Sequence, residues 1–168
     1  MVECLVLVTL VGLIAAATVP PVAAALDRSR TLTAARFLQS RMMLARAQAV
    51  SRGAVVALRL TGVPGETTLS TVLDGNRNGV LQADIVSGID VPTGSPATLA
   101  ALFRGITFSP VTTGGTLLSF SPIGTSSSGT ITVEGRDGAR FAVRLLGATG
   151  RARVLRYDWV EGSWSEVL

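Results

Sequence analysis

From Cys4 to Leu26 the chain reads CLVLVTLVGLIAAATVPPVAAAL, without one charged side chain. No other stretch limits the possible folds so strongly. An apolar helix of about 20 residues matches ~30 Å of hydrocarbon, so the run is long enough to cross a bilayer. The only charge ahead of it is Glu3, an acid. A secretory signal peptide carries basic residues at that place, which weighs against cleavage after Ala23-Ala24-Ala25. A charge placed in hydrocarbon costs roughly 3 kcal/mol or more unless paired, so Glu3 reads as functional. The plainer alternative is an ordinary anchor with Glu3 resting at the membrane interface. Pro20 and Pro21 each remove a backbone donor and crowd a carbonyl one turn earlier, which predicts a kink or loosening there.

The remaining composition narrows the chemistry. The 168 residues suffice for one domain plus an anchor. All 15 basic residues are arginine and histidine is absent. Ser-His and Cys-His nucleophilic catalysis are thereby excluded. Cys4 is the single cysteine, so neither an intramolecular disulfide nor a Cys/His metal site can form. The acids are scattered, with no pair at catalytic spacing, and no cofactor or enzymatic activity is expected. The net charge of +4 permits attraction to nucleic acid or anionic lipid without establishing it.

Between Asp27 and Arg52, Ala35, Leu38, Met42, Ala45 and Ala49 recur at helical spacing, with Leu32 leading in. Arg36, Arg41, Arg46 and Arg52 fall mostly elsewhere on the wheel, as a solvated face or a basic rail. A helix continuous from Met1 to Arg52 would be on the order of 75 Å long, more than a domain of this size needs. Gly53 is placed to cap it. After Gly53 the period changes to that of strands: 54–60, 67–73, 105–108, 116–120, 130–134, 140–146 and 151–157. Gly62-Val63-Pro64-Gly65 and Arg136-Asp137-Gly138 are hairpin turns. Residues 80–89 fit either state, and Trp159 to Trp164 suggest a last hairpin with two aromatics facing each other. One long helix followed by short antiparallel strands predicts an α+β fold with the helix on one sheet face.

An acid at the head of a long apolar helix, with a proline 17 residues on, resembles type IV pilins and type II secretion pseudopilins: Val2-Glu3 and the Glu3-to-Pro20 spacing match. The basic leader, cleavage glycine and Phe-Thr pair of the prepilin motif are not in the sequence. If Met1 stands where the motif has leucine, the start lies upstream and a prepilin peptidase is an implied partner. The order ITFSP (106–110), LSFSPIGTSSSGTITV (118–133), a strand and GATGRARV (147–154) is similar to the GspH/FimT family of minor pseudopilins and minor pilins. The resemblance implies a type IV pilin-like fold in three parts. Residues 1–26 would form the transmembrane and filament-core half-helix, 27–52 the amphipathic half-helix on the sheet, and 53–168 a periplasmic β domain. It also implies residence in the bacterial inner membrane before assembly, and other pilins or pseudopilins as partners. Glu3 and Pro20 would serve assembly, with Glu3 meeting the N-terminal amine of a neighbour. Secreted cargo and DNA are further implied partners.

Two loops carry candidate sites. Asp74-Gly-Asn76-Arg-Asn78-Gly79 begins like a calcium loop, D-x-N-x-N-G. Ile85 stands where the bidentate acid belongs, with Asp84 one place early. An Asx-rich turn joining two strands explains the same residues. Arg151, Arg153 and Arg156 follow Gly150; on a strand the first two share a face and could bridge phosphates. In FimT-like pilins such a Gly-Arg-x-Arg motif is associated with DNA uptake. The competing reading is an edge strand whose arginines block pairing or meet Glu161 and Glu166. A membrane-anchored β domain unrelated to filaments is the third functional class.

Overall fold

The computed structural model describes residues 2–63, 66–111 and 116–167, and the side chains of 4–6, 14–20, 110 and 111 lie outside that set. Helix α1 runs from Val2 to Arg52 without interruption. At 1.5 Å per residue it is about 75 Å long. The helical backbone continues through Pro20 and Pro21, so the expected loosening does not interrupt it.

The C-terminal half of α1 supplies one side of the core. Thr31, Ala35, Leu38, Met42, Ala45 and Ala49 are all buried, as is Ala34. These positions alternate by four and three residues, which keeps one stripe on a single helix face. Leu32 packs partly buried beside them. Four of the seven are alanine, so strands can approach the helix closely. Past Arg52, Gly53 adopts a left-handed conformation at φ 60 and ends the helix.

Two antiparallel sheets share the α1 stripe, where the sequence suggested one. The first contains β1 (Val56–Thr61), β2 (Thr68–Leu73), β3 (Val91–Pro92), β4 (Ala97–Thr98) and β6 (Leu117–Phe120), ordered β3-β2-β1-β6 with β4 also on β2. The second contains β5 (Thr107–Val111), β7 (Gly129–Glu134), β8 (Arg140–Leu146), β9 (Arg151–Asp158) and β10 (Ser163–Glu166), ordered β10-β9-β8-β7-β5. Short helices α2 (Gln82–Ser87) and α3 (Leu99–Leu102) lie in the connections. α2 occupies the segment that periodicity left undecided. Val56, Leu58 and Leu60 from one sheet, and Phe141, Val143 and Leu145 from the other, meet the helix stripe in one cluster. Inward residues on both sheets follow the alternation of a half-buried strand. Of the β1–β2 turn, Pro64 and Gly65 lie outside the described residues.

The expected aromatic pairing in the last hairpin shifts by one partner. Trp164 faces Tyr157 across β9 and β10. Trp159 sits in the turn and packs edge-on against Tyr157, at 4.9 Å between centroids.

Candidate assembly helix and basic sheet face

The described apolar side chains of the N-terminal half of α1 are exposed. Val2, Leu7, Val8, Leu10, Val11, Leu13, Val22 and Leu26 are all more than half exposed. Fully covering a side chain of that size contributes roughly 1.5–3 kcal/mol, so this surface holds on the order of 10–20 kcal/mol of unrealised burial. Exposed apolar surface of that extent marks an interaction with lipid or protein. Among the described residues no helix is long and apolar enough to cross a membrane. Glu3 lies exposed in the first turn and makes no ion pair among the described residues. Its position suits the positive end of the helix dipole. The side chain of Pro20 lies outside the described residues.

The structure separates the three arginines proposed for phosphate contact. Arg151 and Arg153 are exposed on the face of β9 away from α1. Arg156 has the opposite strand parity and lines a cavity with Arg28 and Leu32 of α1. β10 covers the outer side of β9 at residues 155–158, and its ladder does not reach Arg151 and Arg153. Arg153 does reach Glu166, at 3.1 Å. A residue missed in the sequence joins this face: Arg144 on β8 stands directly across from Arg153. Two like charges at directly paired positions repel. Arg144, Arg151 and Arg153 therefore share an exposed patch whose one ion pair among the described residues is with Glu166.

Gly150 explains how the patch is placed. Its φ is 60, a region that costs other residues about 1–2 kcal/mol. A Cβ there would overlap the Gly124 carbonyl oxygen and lie 2.9 Å from Arg46 Nε. Arg46 Nε itself donates to the Gly124 carbonyl at 2.8 Å. Arg46 is thus a pin between α1, the β6–β7 loop and the β8–β9 turn, not part of a solvated rail. Arg36, Arg41 and Arg52 are exposed.

The Asp74 loop closes on itself. Both carboxylate oxygens of Asp74 accept backbone N–H groups: Oδ1 from Asn76 and Arg77, Oδ2 from Gly79. The amide nitrogens of Asn76 and Asn78 donate to Asp84 Oδ2 at 3.2 and 2.9 Å. Asp90, missed in the sequence and fully buried, accepts from the N–H groups of Gly75 and Leu81. These acids face donors that the loop itself provides. Among the described residues no group of three potential metal ligands assembles. The loop leads from β2 into α2 rather than joining two strands directly.

A family model described as type II transport protein GspH matches residues 34–151. The chain belongs to the GspH family. Solved structures agree at the level of the fold. The minor pseudopilin EpsH from the type 2 secretion system of Vibrio cholerae matches with 11% identity and TM-score 0.53, covering 82% of this chain and 96% of that one. A second EpsH crystal structure matches with 14% identity and TM-score 0.53, covering 76% and 94%. The type IV minor pilin FimU of Pseudomonas aeruginosa matches with 20% identity and TM-score 0.54, covering 75% and 88%. Comparison with curated proteins returns no match. The GspH match begins at residue 34, beyond the exposed apolar half of α1.

Proposed function

We propose that this chain is a minor subunit of a bacterial type II secretion pseudopilus or type IV pilus, assembled through its N-terminal helix. The observation that carries the reading is the set of exposed apolar side chains in the N-terminal half of α1, a helix that continues unbroken into the folded β portion. Before assembly, residues 1–26 span the inner membrane and the part from 53 onward faces the periplasm. On assembly the same surface transfers from lipid to the equivalent helices of other pilins. Both environments are apolar, so the transfer itself is nearly neutral and specificity must come from something polar. Glu3 supplies it by pairing with a neighbour's N-terminal amine. A buried pair sets register, because misalignment leaves a charge unpaired.

Glu3→Ala, expressed in cells that hold the cognate machine, tests this. The expected result is membrane retention with loss of incorporation into filaments. Unchanged incorporation would instead favour a membrane-anchored β domain unrelated to filaments.

A second reading rests on the basic face. Arg144 opposite Arg153, with Arg151 on the same exposed face, gathers the charge that a phosphate backbone attracts. In this reading the subunit binds DNA during uptake. Arg144→Ala with Arg151→Ala should weaken DNA retardation and flatten its salt dependence. Retardation unaffected by the pair of changes excludes this face.

A further inference from the structure

The chain contains 2 tryptophans and 1 tyrosine, and all three lie together. Tyr157 packs edge-on against both Trp159 and Trp164, at 4.9 and 5.1 Å. Trp159 is 60% exposed, Trp164 40% and the turn residue Val160 96%. The core uses phenylalanine for its large rings instead, with Phe108, Phe120 and Phe141 buried. The amphipathic aromatics have been kept out of the interior and set on one surface.

The register along α1 fixes where that surface lies. Arg46 lies beside Gly150, Gln39 Nε2 donates to the Ala152 carbonyl at 2.9 Å, and Arg28 shares a cavity of about 260 Å³ with Arg156, Tyr157 and Trp159. β9 therefore runs antiparallel to α1, and its far end points toward the apolar run. From residue 46 to 28 the helix rises about 27 Å, and eight strand residues span about the same distance. The β9–β10 turn thus stands level with Arg28, two residues beyond Leu26, where the uncharged stretch stops. Arginines gather at the same level. Arg140 lies over the Trp159 ring at 5.0 Å, and Arg156 and Arg28 make no ion pair among the described residues. The neighbouring acids have partners within the chain: Asp27 meets Arg30, Glu134 meets Arg140, Asp158 accepts from the Val160 and Glu161 N–H groups and also feels the Arg156 charge, and exposed Glu161 accepts from the Ser163 hydroxyl.

Tryptophan, tyrosine and arginine are the residues enriched where a membrane meets water. We infer that this end of the β portion is a membrane foot: Tyr157, Trp159, Val160 and Trp164 seat in the headgroup layer, and Arg28 and Arg156 meet lipid phosphates. The occupant follows from continuity, since the patch lies at the level where the proposed membrane-spanning helix would leave the hydrocarbon. The inference rests on the anchor reading above. Its consequence is that the β portion lies tethered to the bilayer before assembly and must lift off to enter a filament.

The full chain, reconstituted into vesicles of zwitterionic lipid with and without phosphatidylglycerol, tests the foot. Every tryptophan signal comes from the patch, so lipids carrying a quencher near the headgroup report contact directly. A water-soluble maleimide on Cys4, the single cysteine, reports helix insertion separately. Shielded Cys4 with tryptophans quenched from the lipid supports the foot. Arg156→Ser should then lower the ratio of seated to unseated domain roughly fivefold in the anionic vesicles, the equivalent of about 1 kcal/mol per basic residue at such a surface. Val160→Asp, at a position too exposed to disturb folding, should reduce the quenching in both lipids. Shielded Cys4 with tryptophans open only to a water-soluble quencher overturns the foot and leaves the anchor standing. Reactive Cys4 in a chain that an alkaline wash strips from the vesicles overturns the anchor, and the foot with it; reactive Cys4 in a retained chain leaves the tryptophan quenching to decide the foot.

Discussion

Gly150→Ala is the perturbation whose cost follows most fully from the structure. The residue sits at φ 60, so an alanine pays about 1–2 kcal/mol for its backbone alone. Its Cβ also displaces the Gly124 carbonyl and the Arg46 guanidinium. That breaks the half-buried bond between them, a hydrogen bond with a charged donor and so worth about 1.5–3 kcal/mol. Together these predict a loss of about 3–5 kcal/mol in unfolding free energy. Urea denaturation of the full chain in detergent, followed by circular dichroism, measures it. Arg46→Ala alone should lose only the hydrogen-bond share. In the double variant the two losses should not add, because both remove the same bond. Full additivity, or a Gly150→Ala midpoint equal to that of the parent, would refute the pin between helix and turn.

Other consequences are independent of that pin. Met42→Ala, at a fully buried position on the α1 stripe, should cost about 2–5 kcal/mol in the same denaturation assay. Asp90→Ala should destabilise far more than Asp84→Ala, because Asp90 is buried on two backbone donors whereas the bonds to Asp84 are exposed. The expected losses are about 3 kcal/mol and under about 1 kcal/mol. Asp158 is held below the usual value of 3.8 by the backbone N–H groups of Val160 and Glu161, with the Arg156 charge adding to them. A carboxylate with a depressed folded-state pKa stabilises above its unfolded value, and that contribution fades as pH falls through the folded one. The β9–β10 turn should accordingly loosen only below about pH 4, visible as faster amide exchange at Val160 while β7 and β8 stay protected.

Local rules made much of this fold legible. The four-and-three spacing from Ala35 to Ala49 specified the buried face of α1, because one contact row on a helix is set by period alone. Arg136-Asp137-Gly138 marked the β7–β8 turn, since a left-handed glycine there permits few alternatives; Gly138 has φ 76. Strands of two residues, β3 and β4, left no periodic signal. The split into two sheets depends on which strands pair across long separations, which composition does not encode. Arg144 escaped notice for the same reason: its partner Arg153 is found only through the β8–β9 register. Arg156 was a different kind of miss. Counting by twos from Arg151 and Arg153 already sends it to the other side of the strand. Asp90 looked like any loop acid, because burial of a polar side chain is decided by donors supplied from elsewhere in the loop.

The central claim is that the bare apolar half of α1 is covered by equivalent helices of other subunits. Crosslinking from Cys4 in cells that hold the assembled machine addresses it most directly, using a partner subunit with a cysteine placed in its own N-terminal helix. The account predicts a crosslinked pair in the filament fraction, and its loss in Glu3→Ala while the chain stays in the membrane. Recovery of the chain only as an uncrosslinked membrane protein, indifferent to Glu3, would contradict it.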